Sequence, residues 1–246
     1  MSTLDLQLVC DFANTEIVHF HESRLNRLKK ISLSEVLTKK NPYLFKAKNL
    51  DAPSDLISAI MDAFLSSSEE ELFGQFLEQL AIFVSAQTCG GVKSSARGLD
   101  LEFDRDGIRY LVAVKSGPSW GNSSQPARLA QDLASAVKVA KQGQPTRHVQ
   151  AVLGICYGKA RLQEKAGYQR IVGQSFWHFL SGDERLFVDI IAPIGYHAKE
   201  HNERFVAQRD SIKIKLASEF GAQFCQEDGL IDWPKLVAFN SENMHA

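Results

Sequence analysis

Hydrophobic and polar residues alternate most cleanly between Gly98 and Lys115, in the stretch GLDLEFDRDGIRYLVAVK. The pattern predicts a β-hairpin, because Asp106-Gly107 supplies the positive φ that both central positions of a two-residue type I′ turn require. With Arg105 facing Ile108, side chains alternate between the two faces along both strands. One face collects Leu99, Leu101, Phe103, Ile108, Tyr110, Val112 and Val114, a core face. The other collects Gly98, Asp100, Glu102, Asp104, Arg109, Leu111, Ala113 and Lys115. In this register Asp100 lies opposite Ala113, Glu102 opposite Leu111, and Lys115 opposite Gly98.

Elsewhere the apolar spacing is mostly helical. Residues 1–30 predict a helix with Leu4, Leu8, Phe12 and Ile17 on one face. Asn41-Pro42 divides the segment Arg24–Lys48 into two short helices. Ala52–Leu65 reads as a helix capped by Asp51 or Ser54. A second helix follows, capped within Ser66–Ser68, with Glu69, Glu70 and Glu71 in its first turn where the dipole favours them. Its face of Leu72, Phe73, Phe76, Leu77, Leu80, Ala81, Phe83 and Val84 buries it deeply, and Glu78 is an acid inside that apolar run. Leu129–Lys141 predicts a helix and His148–Tyr157 a buried strand, so the hairpin, helix and strand imply a crossover onto one sheet. Gly158–Gly167 reads as a basic loop, Ile171–Ile190 as short helices broken at Ser181-Gly182, and Tyr196–Cys225 as one long helix. Asp232 caps a last short helix with Pro234 in its first turn.

Composition narrows the classes. With 246 residues, 44% hydrophobic and 23% charged, the chain is an ordinary soluble globular protein. A net charge of −1 gives no overall nucleic-acid signal, so such binding has to come from local patches. One patch stands out: Arg24–Lys48 carries eight cations (Arg24, Arg27, Lys29, Lys30, Lys39, Lys40, Lys46, Lys48) against the single acid Glu35. That asymmetry fits phosphate-backbone contact and equally a solvated basic face. Four scattered cysteines (Cys10, Cys89, Cys156, Cys225) form no CxxC pair, which argues for reduced thiols and against structural zinc. No basic n-region opens the chain and no window approaches the ~18 apolar residues of a membrane span. A cytoplasmic protein with no membrane partner is the expectation.

The candidate chemistry gathers around the hairpin. Asp100 and Glu102 offer carboxylate oxygens suited to a hard divalent cation, and Lys115 an ammonium that can orient water or stabilise phosphorane charge. A solvated charged face is the alternative. It fits Asp104 opposite Arg109 well, and Asp100, Glu102 and Lys115 less well beside the apolar LVAVK strand. Glu78, a buried acid in need of a partner or a metal, is either a further ligand or a helix-flank charge. The loop TCGGVKSSAR carries Lys93 and Arg97 into Asp100, and SGPSWGNSSQPARL follows Lys115 with Trp120, Asn122, Ser123, Ser124 and Gln125. Those side chains suit base or phosphate contacts, though Trp120 folded onto the core would serve a plain connection equally. His19 and His21 fall on different helix faces. His197 and His201 lie one turn apart, but Ala198 stands where an HExxH motif needs glutamate. Cys156 reads as a packed core thiol.

The order of a helix bearing Glu78, a hairpin bearing Asp100 and Lys115, a crossover helix and a strand resembles the PD-(D/E)XK nuclease core. The strings FLEQLAIF, KSSARGLDLEF and YLVAVKSGPSWGNSSQ resemble type II restriction endonucleases of the PmeII type. The specific part spans Asn41–Gln125, and KNPYLF, GQSFW and DWPKLVAFN extend the likeness over nearly the whole chain. The resemblance implies an α/β fold with a restriction-endonuclease-like core, a central mixed sheet flanked by helices, and helical additions at both ends. Residues 1–50 would be a basic DNA-contacting region, 51–195 the nuclease core, and 196–246 a helical, dimerising region. It further implies a Mg2+-dependent homodimer cleaving double-stranded DNA at an interrupted, GC-rich palindrome of the GGNCC kind, in a bacterial or archaeal host whose methyltransferase protects its own DNA.

Asp100 matches the motif aspartate and Lys115 the motif lysine. The superfamily places a carboxylate two residues before the lysine, and here that residue is Ala113. Leu99 replaces the frequent proline before the aspartate. Glu102 and Glu78 are the expected substitutes for the missing acid, with Glu71 in reserve. Lys39, Lys40, Lys46, Lys48, Lys93, Arg97, Trp120 and Asn122–Gln125 are the expected DNA contacts. A structure-specific repair or junction nuclease of the same superfamily, and a DNA-binding module with a dead core, are the alternative readings.

Overall fold

The computed structural model describes residues 2–121, 124–143, 148–165 and 167–242. The helices are α1 (Leu6–Lys29), α2 (Leu33–Thr38), α3 (Pro42–Ala47), α4 (Pro53–Cys89), α5 (Gln125–Gly143), α6 (Gln174–Ser181), α7 (Leu186–Asp189), α8 (Ile191–Ile194), α9 (Ala198–Phe224) and α10 (Trp233–Ser241). The strands are β1 (Val92–Lys93), β2 (Leu101–Arg105), β3 (Ile108–Lys115), β4 (His148–Ile155), β5 (Gln163–Lys165) and β6 (Tyr168–Val172). The chain forms two compact units, one of residues 1–18 and 73–196 and one of residues 19–72 and 197–246, with boundaries inside α1, inside α4 and between α8 and α9.

The first unit holds a mixed sheet in the order β1-β2-β3-β4-β6-β5. Its hairpin is the one expected: Arg105 pairs with Ile108 and Glu102 with Leu111, and Asp106 and Gly107 both have positive φ (52° and 75°). β3 and β4 run parallel, joined by α5. Parallel strands with helices on both faces are apolar on both. Leu111, Ala113, Ala151, Leu153 and Ile155 join Leu129, Leu133 and Ala136 of α5 in one cluster. On the opposite face α6 packs against the sheet, with Phe179 in ring contact with Phe103 and Tyr110. The hairpin face expected to be polar is therefore half charged rim and half core.

Several expectations change. Leu99 leaves the hairpin's core face and joins the α5 cluster, because the ladder ends at the Leu101–Val112 pair and Gly98 turns the chain at φ 77°. The two helices expected on either side of Ser66–Ser68 are a single helix, α4. Ser67 returns its hydroxyl to Ala63 O (3.0 Å) instead of capping a new start. Apolar residues on both sides of the serines let the helix continue, and back-bonding satisfies the hydroxyl within it. In α1 the buried positions are Val9, Ala13, Ile17 and Leu28, whereas Leu8 is 50% exposed. The basic loop and the segment after it contain β5 and β6, whose short runs carry little alternation. Asp232 caps α10 as expected, and Asn41, at the expected break, caps α3.

The second unit is helical. Leu56, Ile57, Met61 and Phe64 of α4 share a core with Val36, Phe45, Phe205, Leu216, Phe220 and Leu236. Among the described residues no helix is long and apolar enough to cross a membrane.

Candidate active site

Asp100 sits at the mouth of the hairpin. Its amide donates to Val112 O (2.9 Å), and its carboxylate Oδ2 accepts the Val114 N–H (2.6 Å). The side chain thus takes over where the ladder stops, which fixes the carboxylate against β3. Lys115, the last residue of β3, brings Nζ to 3.8 Å from Asp100 Oδ2, and the same ammonium lies 5.8 Å from the centre of the Trp120 ring.

Two further charges join them. Glu78 reaches in from α4, and Lys93 Nζ on β1 lies 3.7 Å from Glu78 Oε1. Burial pushes the pKa of Glu78 up, and the negative charge of Asp100 pushes it further, against the pull of Lys93 and Lys115. Burial also raises Asp100, opposed by the Val114 N–H and then by Lys115 and Lys93. Four elements, α4, β1, the β2 entry and β3, therefore bring together two partly buried carboxylates and two ammoniums.

Glu102 has other partners. Its Oε1 lies 2.6 Å from Arg109 Nη2, and its Oε2 accepts from Ser94 Oγ (3.1 Å). It lines a cavity of about 580 Å³ with Arg97, Arg109, Asp132 and Ser135. Glu71, the reserve acid, belongs to the second unit, as do Lys39, Lys40, Lys46 and Lys48. Those lysines have internal partners: Lys39 pairs with Glu35 (2.8 Å), Lys40 donates to Ala63 O (2.7 Å) and Lys46 pairs with Asp51 (3.1 Å). Lys48 lies 5.7 Å from the Phe45 ring centre. Trp120 packs against the α5 cluster, Gln125 begins α5 with Ser124 just before it, and Asn122 and Ser123 lie outside the described residues.

In the sequence Tyr157 is no more than the end of a strand. The parallel register carries it to the Lys115 loop: its amide donates to Ser116 O (3.1 Å), and the residue is 55% exposed. A Cβ at Gly117 would collide with its ring. Gly117→Ala is expected to cost about 1–3 kcal/mol as the ring is forced aside, read as a lower urea midpoint. Neighbouring Cys156 is buried, its thiol pushed up to about 12 chiefly by burial, so it is inert as a nucleophile. In the second unit His21 stacks on His201 at 4.5 Å, and burial brings His21 down to about 4. The stack joins one histidine of the His19/His21 pair to one of the His197/His201 pair.

A family model described as type II restriction endonuclease EcoO109I matches residues 7–202. The chain belongs to this family. A search of curated proteins gives no match. As a member of the EcoO109I family the protein is a type II restriction endonuclease, a site-specific deoxyribonuclease acting on DNA, and enzymes of this type typically use a divalent metal. The α/β architecture, a mixed sheet with flanking helices, agrees with a restriction-endonuclease-like core.

The donor set of this EcoO109I-family site fits a hard divalent cation. Asp100 and Glu78 are partly buried carboxylates that repel each other, and a cation shared by them would relieve both. Among the described residues no group of three or more His, Cys, Asp and Glu side chains converges. Mg2+ is commonly held by one or two carboxylates, with waters and substrate phosphates completing its shell.

Proposed function

We propose that the protein is a Mg2+-dependent, homodimeric endonuclease of the PD-(D/E)XK superfamily, of the PmeII type, cutting duplex DNA at a short interrupted GC-rich palindrome. The observation that carries this reading is the meeting of Glu78 with Asp100 and Lys115 on a chain of the EcoO109I family. Asp100 and Glu78 would hold the metal, which when bound supplies Lewis-acid activation of water and charge neutralisation at the phosphate. Asp100 is braced by the Val114 N–H, which holds its carboxylate at the end of β3 beside Lys115. Lys115, steadied by Trp120, orients the attacking water and stabilises charge on the phosphate oxygens. Lys93, Arg97, Trp120, Asn122–Gln125 and the Lys39, Lys40, Lys46 and Lys48 set would hold phosphates and bases. A two-fold dimer would cut each strand of a two-fold site once. Glu102 remains a candidate ligand by sequence, and its ion pair with Arg109 makes it the weaker one.

A plasmid digest tests this. With Mg2+ the protein should give discrete bands, and with a chelator none. Full cleavage by the Asp100→Asn or Lys115→Ala protein overturns the site. A smear from linear duplex, with cutting confined to junctions or flaps, favours the structure-specific nuclease. Binding without cleavage under any divalent ion favours the dead module that Ala113 makes conceivable. The two glutamates separate in the same assay: Glu78→Gln is expected to slow cleavage about a hundredfold or more, and Glu102→Gln by less than about tenfold. The reverse ranking would return the ligand role to Glu102.

A further inference from the structure

We propose that Lys93 is an exchanging cation of the catalytic centre: it neutralises Glu78 while no metal is bound, and turns to a DNA phosphate once a divalent cation takes that carboxylate. The inference rests on the reading of Asp100, Glu78 and Lys115 given above.

β1 is a two-residue edge strand in which Lys93 pairs with Leu101, the residue after Asp100. Strand pairing therefore fixes the Lys93 backbone beside the β2 entry, while the long stem leaves the ammonium free to move. Its Nζ is 3.7 Å from Glu78 Oε1, yet 65% of the side chain is accessible. The two lysines of the cluster are unlike in this respect. Lys115 is 31% accessible, ends a strand buried at its centre and lies beside Trp120. Lys93 is held among the described residues by one loose ion pair, and such exposed pairs are weak.

The charges explain why a mobile lysine is useful here. Without a cation between them, Asp100 and Glu78 face each other partly desolvated, and Lys93 supplies the second positive charge that balances the pair. A divalent cation bound to the same carboxylates would repel the ammonium by like charge and leave it without a partner. A phosphate of the bound DNA is then the anion within reach of a lysine at the rim of the site. A lysine serving only as a phosphate clamp would have no need to lie against Glu78, and with two-thirds of its side chain accessible Lys93 can leave that carboxylate at little cost.

The test is Mn2+ binding to the full-length protein without DNA, followed by electron paramagnetic resonance, beside plasmid cleavage at saturating Mg2+. Lys93→Gln is expected to bind Mn2+ about three- to tenfold more tightly than wild type, because a competing charge is gone. The same variant should cleave about tenfold more slowly or worse, with Lys93→Arg recovering most of the loss. Tighter metal binding with slower turnover is a combination that a purely structural lysine would not produce. Mn2+ affinity that falls in Asp100→Asn and Glu78→Gln but is unchanged or weaker in Lys93→Gln overturns the exchange alone. Affinity indifferent to all three substitutions overturns the site itself, and the exchange with it.

Discussion

Asp100→Asn is expected to lower Mg2+-supported DNA cleavage by about three orders of magnitude or more while slightly raising the melting temperature of the metal-free protein. The rate loss follows from the removal of a carboxylate that would both hold the metal and sit 3.8 Å from the Lys115 ammonium. The stability gain follows from the electrostatics. Burial raises the folded pKa of Asp100 above its unfolded value. The folded state therefore favours the protonated carboxyl, and stability is lost as pH rises from the ordinary carboxylate range through the folded pKa. At neutral pH the wild type carries that penalty, and asparagine, whose carbonyl can still accept the Val114 N–H, does not. A rise of about 2–4 °C is the expected size. The difference should shrink as the pH falls toward the ordinary carboxylate range. Melting curves of both proteins at several pH values, with chelator present, check the sign. A variant that melts well below wild type would show that the charge at Asp100 stabilises the fold.

Ala113→Glu, which restores the carboxylate that the superfamily pattern asks for, is expected to destabilise the protein by about 3–5 kcal/mol without improving cleavage. Ala113 is 0% exposed and belongs to the apolar cluster of β3, β4 and α5 that includes Leu111, Leu133 and Leu153. A glutamate there brings extra volume and an unpaired charge into a dry interface. Urea unfolding reads the loss directly. A stable variant with faster cleavage would mean that the side chain of residue 113 can reach the Asp100 cluster, and that Glu78 is not the replacement.

The hairpin shows how far local pattern reaches. The turn at Asp106-Gly107 and the pairing of Asp104 with Arg109 both follow from short-range rules, and the structure has them as expected. The same rule fails at Leu99, two residues beyond the last ladder pair. Period two holds only while the strand is paired, and a left-handed glycine ends it. Joining the two halves of α4 into one helix was beyond the pattern for a related reason. Three serines and three glutamates look like a start signal, and whether the preceding turn unwinds depends on the packing on either side.

The sequence by itself determined the hairpin, the crossover helix with its parallel strand, and Asp100 and Lys115 as a charged pair on one strand face, because each depends on residues close along the chain. Only the tertiary structure decided which glutamate meets Asp100. Glu102 is two residues away, yet Arg109 across the ladder holds it 2.6 Å away in an ion pair, whereas Glu78, 22 residues earlier, is delivered by α4. It also decided that Lys93 belongs with those charges and that Tyr157 lies against the Lys115 loop. Sequence spacing sets where a side chain points along its own element, and the packing of separate elements sets what it meets there.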